Sequence, residues 1–257
     1  SFQFKGDGST NQILQPDKNG TVPDILSLVN SGNKYLYHSV EGALNYKRTF
    51  SKEDQELEAS VNIDNGYNYG RSYSEQFLFP QDVLNYGTRA FNPANTRETV
   101  VSIDYTQPLS KDIKLGIGTK GTFFNIESNA NVNSYEPATG SYLPNSFLSN
   151  NLNYRQKVYA GYTELSFPVA KLFDAKIGTR YERTEIDAFY SQAGNVNVPG
   201  YNTVVPSIFL SKKIGESQTV KLSFSKRIQR PDYEDLNPFV NTSDPKNLST
   251  GNPYLKP

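Results

Sequence analysis

The chain has 257 residues, with 26 Lys+Arg balancing 26 Asp+Glu, one His, and no Cys, Met or Trp. Without cysteine there is no disulfide, thiolate nucleophile or Cys-based metal centre, and the lone imidazole of His38 cannot build a two-His metal site within the chain. Zero formal net charge argues against nucleic-acid binding, which needs a basic surplus, and no apolar run reaches the roughly 18 residues of a membrane helix.

The first alternating segment spans 36–48, where Leu36, Val40, Leu44 and Tyr46 share a side with His38 and Gly42, against Ser39, Glu41, Ala43, Asn45 and Lys47. Side chains alternate across a strand, so this spacing predicts a strand with one apolar face. A short charged stretch, 49–55, predicts a hairpin turn. In 57–69 the pattern is clearest: Leu57, Ala59, Val61, Ile63, Asn65, Tyr67 and Tyr69 oppose Glu58, Ser60, Asn62, Asp64, Gly66 and Asn68. That is long for a globular strand, where about five or six residues are usual. It is enough to cross a bilayer at a tilt, which takes about ten. Further strands are predicted over 99–106, 115–123, 154–167, 175–187, 203–213 and 219–228. Pro206 predicts a bulge or weak pairing in the 203–213 strand. The odd positions of 57–69 and 115–123 are expected to face lipid, with Glu58, Asp64, Lys114 and Lys120 facing inward.

The connections alternate in length. Short turns fall near 49–55, 107–112, 168–174 and 213–218, and long polar segments at 70–96, 125–153 and 188–202. Short turns on one side and long loops on the other are the pattern of outer-membrane barrels, with the short turns periplasmic.

Motifs that suggest chemistry have plainer readings. Residues 116–121 match GxGxxG, but a dinucleotide site needs a strand-to-helix turn there, and no helical period follows. Small residues facing a crowded lumen account for it. Asp64-Asn65-Gly66 fits no EF-hand spacing and reads as solvated polarity. The carboxylate pairs Glu182/Glu185 and Asp232/Glu234 could serve a glycosidase only if a pocket joined them, and nothing in the sequence does so. No catalytic residue, cofactor or metal site is expected, and the chain is not read as an enzyme.

The tail carries two dense motif blocks. The first holds Arg227, Gln229, Arg230, Pro231, Asp235, Leu236, Asn237, Pro238 and Phe239; the second holds Gly251, Asn252, Pro253, Leu255, Lys256 and Pro257. These resemble the barrel of TonB-dependent receptors, in particular the outer-membrane β-barrel family common in Bacteroidetes, which commonly writes the second block as GNPxLKPE. The repeated X-Pro pairs force extended or turn backbone. The tail is therefore expected to be an ordered loop outside the membrane.

The resemblance implies an all-β fold: an antiparallel transmembrane β-barrel portion, about eight strands by the alternation above, within a plugged barrel of roughly 22 strands. Residues 1–257 are expected to be part of one barrel domain, with 1–35 and 229–257 as extracellular loop segments and the plug domain absent. Following the chain from periplasmic turns leaves both ends extracellular, so an open sheet from inside a larger barrel is expected. The implied function is part of a TonB-dependent receptor in the bacterial outer membrane importing a scarce nutrient, whether metal chelate, vitamin, glycan or peptide. Implied partners are outer-membrane lipid, the receptor's own plug and remaining strands, TonB acting through the plug region, a small nutrient ligand and, as a candidate, a surface lipoprotein. A complete eight-stranded barrel or adhesin, and a soluble β-sandwich that binds carbohydrate, are the alternatives.

Overall fold

Period-two alternation along most of a chain leaves one economical way to satisfy its backbone, which is for neighbouring segments to exchange N–H···O=C bonds. The computed structural model, which describes residues 2–14, 27–78, 81–170, 172–215, 217–238 and 249–255, has this arrangement as one antiparallel sheet. Its strands are β1 (Phe2–Leu14), β2 (Ser27–Thr49), β3 (Glu56–Leu78), β4 (Val83–Pro108), β5 (Lys114–Glu136), β6 (Ser141–Pro144), β7 (Asn150–Val169), β8 (Phe173–Tyr190), β9 (Gly194–Ile214) and β10 (Gln218–Ser225). The order across the sheet is β1-β2-β3-β4-β5-β7-β8-β9-β10, with the short β6 folded onto β5. One helical turn, α1 (Tyr233–Leu236), follows. Among the described residues the sheet is open, because β1 and β10 are its two edges and do not pair with each other.

The register sorts the side chains into two faces. Tyr46, Ala59, Ile103, Thr119, Gly161, Tyr181 and Val204 form one cross-strand row, and Lys47, Glu58, Asp104, Gly118, Tyr162 and Arg180 form the next, on the opposite side. The first side, here called outer, carries a broad band of exposed apolar residues: Val40, Leu44, Ile103, Ile117, Ile177 and Leu222 are each more than two-fifths exposed. No second sheet covers them among the described residues. The other side is the inner face. Glu58, Asp64, Lys114 and Lys120 all fall on it, opposite the odd positions of β3 and β5, as the alternation predicts.

The strands outrun expectation. β2, β3 and β5 have 23 residues each and β4 has 26, more than twice the roughly 10 that a bilayer requires. Most of the polar stretches expected as long loops at 70–96, 125–153 and 188–202 are strand, closed by tight turns such as residues 191–193, where Gly194 supplies a φ of 70°. Residues 2–14 and 27–35 are likewise strand rather than loop, with Phe2 opposite Ser39 and Leu14 opposite Ser27. Pro206 lies in regular register opposite Thr179. The irregularity of β9 sits instead where Thr184 faces Tyr201 but Ile186 faces Val198. Pro199-Gly200 occupies that bulge, and a Cβ at Gly200 would lie 2.9 Å from the Thr184 carbonyl oxygen.

Candidate functional site

Chemistry-bearing side chains collect on the inner face. Lys47 Nζ bridges Glu56 and Glu58 at 2.7 and 2.8 Å. Further along the same row, Gly118 has no side chain, so the ring of Tyr162 on β7 lies across it and donates to Asp104 Oδ1 on β4 at 2.5 Å. A Cβ at Gly118 would itself lie 2.5 Å from that carboxylate oxygen. The literal GxGxxG is thus a strand surface shaped to admit a tyrosine. The Arg180 guanidinium sits 5.1 Å from the Tyr162 ring centroid, and its Nε donates to Glu182 Oε1 at 2.5 Å.

Glu182 is the junction of this row with the tail. It is buried, and a carboxylate without water is strongly disfavoured unless cations and donors surround it. Arg180 supplies one cation, and Arg230, reaching in from the tail, supplies the second through its Nη2. The Nε of Arg230 also donates to Thr184 Oγ1 at 3.3 Å.

Beyond β10 the chain leaves the sheet, with the Lys226 N–H donating to the Pro206 carbonyl at 3.2 Å, and Arg230-Pro231 carries it over the inner face. Asp232 caps α1 in a capping box with Asp235, which relieves otherwise unpaired N–H groups of so short a helix. Leu236 is driven into the wall at 1% exposure, against a cluster that includes Ile126, Leu152, Tyr154, Ile186 and Val198. Burying such a side chain stabilises by about 1.5–3 kcal/mol. Tyr233 stands 6.3 Å from Tyr154 between ring centroids, and burial, then its bond to Glu234, pushes its hydroxyl well above the usual range.

The two motif blocks are one joint. Gly251 N–H donates to the Asn237 carbonyl at 2.7 Å and Asn252 N–H to the Asp235 carbonyl at 2.6 Å. Thr250 Oγ1 donates to the Pro238 carbonyl at 3.0 Å. Only glycine fits at 251, where a Cβ would lie 2.5 Å from Asp235 O and 2.7 Å from Asn237 N. Asn252 Oδ1 accepts from the Tyr254 N–H at 3.0 Å, turning the chain at Pro253, and Leu255 N–H returns to the Asn252 carbonyl at 3.0 Å. Phe239, Lys256 and Pro257 lie outside the described residues.

The tail motif, expected as an outside loop, therefore has its Arg230 and Leu236 anchored on the inner face of β5 and β7–β9. Glu182 and Glu185 point to opposite faces, three residues apart on one strand, and Glu185 pairs instead with Arg183 at 3.4 Å. That parity was available to a reader of the sequence. Glu182's role was not, because its second cation comes from 48 residues away. Glu41, Asp64 and Glu98 stand in register on the inner face, yet no three His, Asp or Glu among the described residues are placed to hold a metal ion.

The model of the outer membrane protein beta-barrel family matches residues 48–257. No curated protein matches the sequence. Among solved structures the chain is similar to the ferric citrate transporter FecA in its unliganded form, at 10% identity and a TM-score of 0.41, over 77% of this chain and 35% of that one. It is also similar to the ferric yersiniabactin uptake receptor FyuA from Yersinia pestis, at 10% identity and a TM-score of 0.39, over 85% of this chain and 41% of that one. The chain thus spans less than half the length of either.

Proposed function

Given that the chain belongs to the outer membrane protein β-barrel family, we propose that it forms part of the wall of a TonB-dependent receptor of the Bacteroidetes type, importing a scarce nutrient. Its place is the bacterial outer membrane, and the exposed apolar band of the outer face is the surface that meets lipid. The docked tail carries the reading. A closed barrel of about eight strands is filled by its own side chains, whereas barrels of about 22 strands have a lumen that holds a plug. Here a helical turn of the chain itself sits on the inner face with Leu236 buried, which needs a lumen wider than side chains fill.

Small-barrel and soluble-sandwich readings fare worse, the first for want of lumen and the second for want of a covering sheet. The cargo we assign only by class, as a metal chelate, vitamin, glycan or peptide. Plug, TonB and a surface lipoprotein are its proposed partners.

Deleting the gene for the full-length protein and following depletion of nutrients from limiting medium tests the proposal. Loss of uptake of one scarce solute, reproduced by disabling TonB, is the expected result. Unchanged uptake in both strains sinks it.

A further inference from the structure

The inner face of β7–β9 holds two hydroxyls that the fold leaves without a partner. Tyr190 is 0% exposed and packs in the same cluster as Leu236, yet its Oη neither donates nor accepts among the described residues. The Tyr201 Oη is likewise shut away from solvent with no partner among them. Tyr201 stands directly across from Thr184, whose Oγ1 accepts from Arg230 of the tail. Tyr154 lies within electrostatic reach of both phenols and of Asp232 in the tail, but its own hydroxyl is satisfied, accepting from Gln156 Nε2 at 3.3 Å.

A buried hydroxyl with no partner gives up its hydrogen bonds to water and gains none in return, and such groups are rare in folded proteins. The cover over this face, among the described residues, is the tail: α1 with Tyr233 and Leu236, and the Arg230 side chain. Docking of the tail therefore works against itself. Burial of Leu236 and the Arg180–Glu182–Arg230 charges draw the tail down. Tyr190 and Tyr201 favour the state in which it has lifted and water reaches them. A tail that served only to brace the wall would be better matched by phenylalanine at both places.

We propose that the tail is a releasable strap, held near balance by the Tyr190 and Tyr201 hydroxyls, which lose water when it docks and regain it when it lifts. Lifting uncovers Tyr190 together with Phe124 and Tyr154, whose rings meet edge to face at 6.5 Å between centroids. The space of α1 is then added to the inner side of the wall. The strap follows from contacts between wall and tail and does not depend on what the receptor imports. A defect in the strap and a defect in uptake are therefore separable.

Hydrogen exchange read by mass spectrometry on the full-length protein in nanodiscs tests this at the amides of Leu236, Asn237, Gly251 and Asn252, which are bonded within the docked tail. Local opening sets the exchange rate of such amides. Tyr190→Phe and Tyr201→Phe should each slow exchange there about tenfold, the lower part of the range for a buried hydroxyl without a partner. Together they should slow it about 100-fold, because the two share no hydrogen bond. Tyr159→Phe, on the outer face and 44% exposed, should change nothing. Leu236→Ala should speed exchange, and adding both phenylalanine substitutions to it should bring the rate back down. Exchange of the β3 amides checks folding, and if one single variant disturbs them the other carries the test. Unchanged or faster exchange in the folded phenylalanine variants overturns the proposal, because the hydroxyls would then have a partner that docking preserves. So does equal slowing in Tyr159→Phe, which would make the effect one of added apolar character alone.

Discussion

The inner faces of β3 and β8 alternate with the same period yet end in different environments. On β8 the inner positions Glu182, Thr184, Ile186, Ala188 and Tyr190 are all buried. On β3 the inner positions Glu58, Ser60, Asn62 and Asp64 are polar, and none is buried. What differs is the cover, because α1 and the Arg230 side chain lie over the β8 region and nothing described lies over β3. Alternation therefore assigns a face, and the change from polar to apolar along that face assigns the site of docking. The lesson is that a barrel wall writes its internal partner into the polarity of alternate residues.

The sharpest way to break this contrast is to remove the charge at its centre. Glu182→Ala leaves Arg180 and Arg230 facing each other without a counter-charge and should cost about 3–5 kcal/mol in denaturant unfolding of the detergent-solubilised protein. Adding Arg230→Ala should recover part of that loss, and an unaltered midpoint in the single variant would show the tail contributes nothing to the wall. Leu236→Ala follows, with an expected loss of about 2–5 kcal/mol from the cavity it leaves and faster proteolysis between residues 226 and 229. The outer face should respond differently. Val61→Arg should cost about 2–4 kcal/mol at mid-depth in lipid, read as the folded fraction in vesicles. The neighbouring Asn62→Arg, pointing to the wet side, should stay within about 0.5 kcal/mol of wild type.

Two smaller effects sharpen the comparison. Gly251→Ala should loosen the joint between the motif blocks at a cost of about 1–3 kcal/mol, visible as increased amide exchange at residues 235–237. At the far end of the strands, burial first and then its bond to Glu75 push the Tyr142 hydroxyl up to about 12. The raised value means that the fold favours the neutral phenol. Its contribution is therefore fully present below about pH 10, the ordinary tyrosine value, and is lost as pH rises through about 12. Phenolate absorbance in wild type minus Tyr142→Phe should show a group titrating well above the ordinary tyrosine value of about 10. Titration near 10 would remove the contact.

Much of the wall was legible in the sequence, because period-two segregation survives wherever one face meets lipid and the other does not. Leu57 to Tyr69 shows it with one exception, Asn65 on the apolar face. Beyond Arg71 polar residues occupy both faces of β3, as Ser74, Glu75 and Gln76 do, so the pattern fades while backbone pairing continues. That is why Ser72 to Leu78 and Asn195 to Val198 read as loop and fold as strand. The short turns were legible from charge and glycine. The tail's residues were legible as a motif, since proline restricts the backbone before it, but their destination was not. X-Pro pairs fix local direction, whereas the place of Leu236 is decided by Ile126, Leu152 and Ile186, which lie far back along the chain.

Strand order that follows chain order has a kinetic consequence. Each hairpin closes a short loop, so the entropy of closure is small at every step and the sheet can grow one strand at a time, as a zipper does. Among the exceptions are two contacts that bridge distant residues, Tyr142 to Glu75 across 67 positions and Arg230 to Glu182 across 48. Neither can form until the strands it spans are already paired. The tail is thus a late arrival, settling onto a wall that exists without it, and its departure would leave the hydrogen-bond ladder of that wall intact.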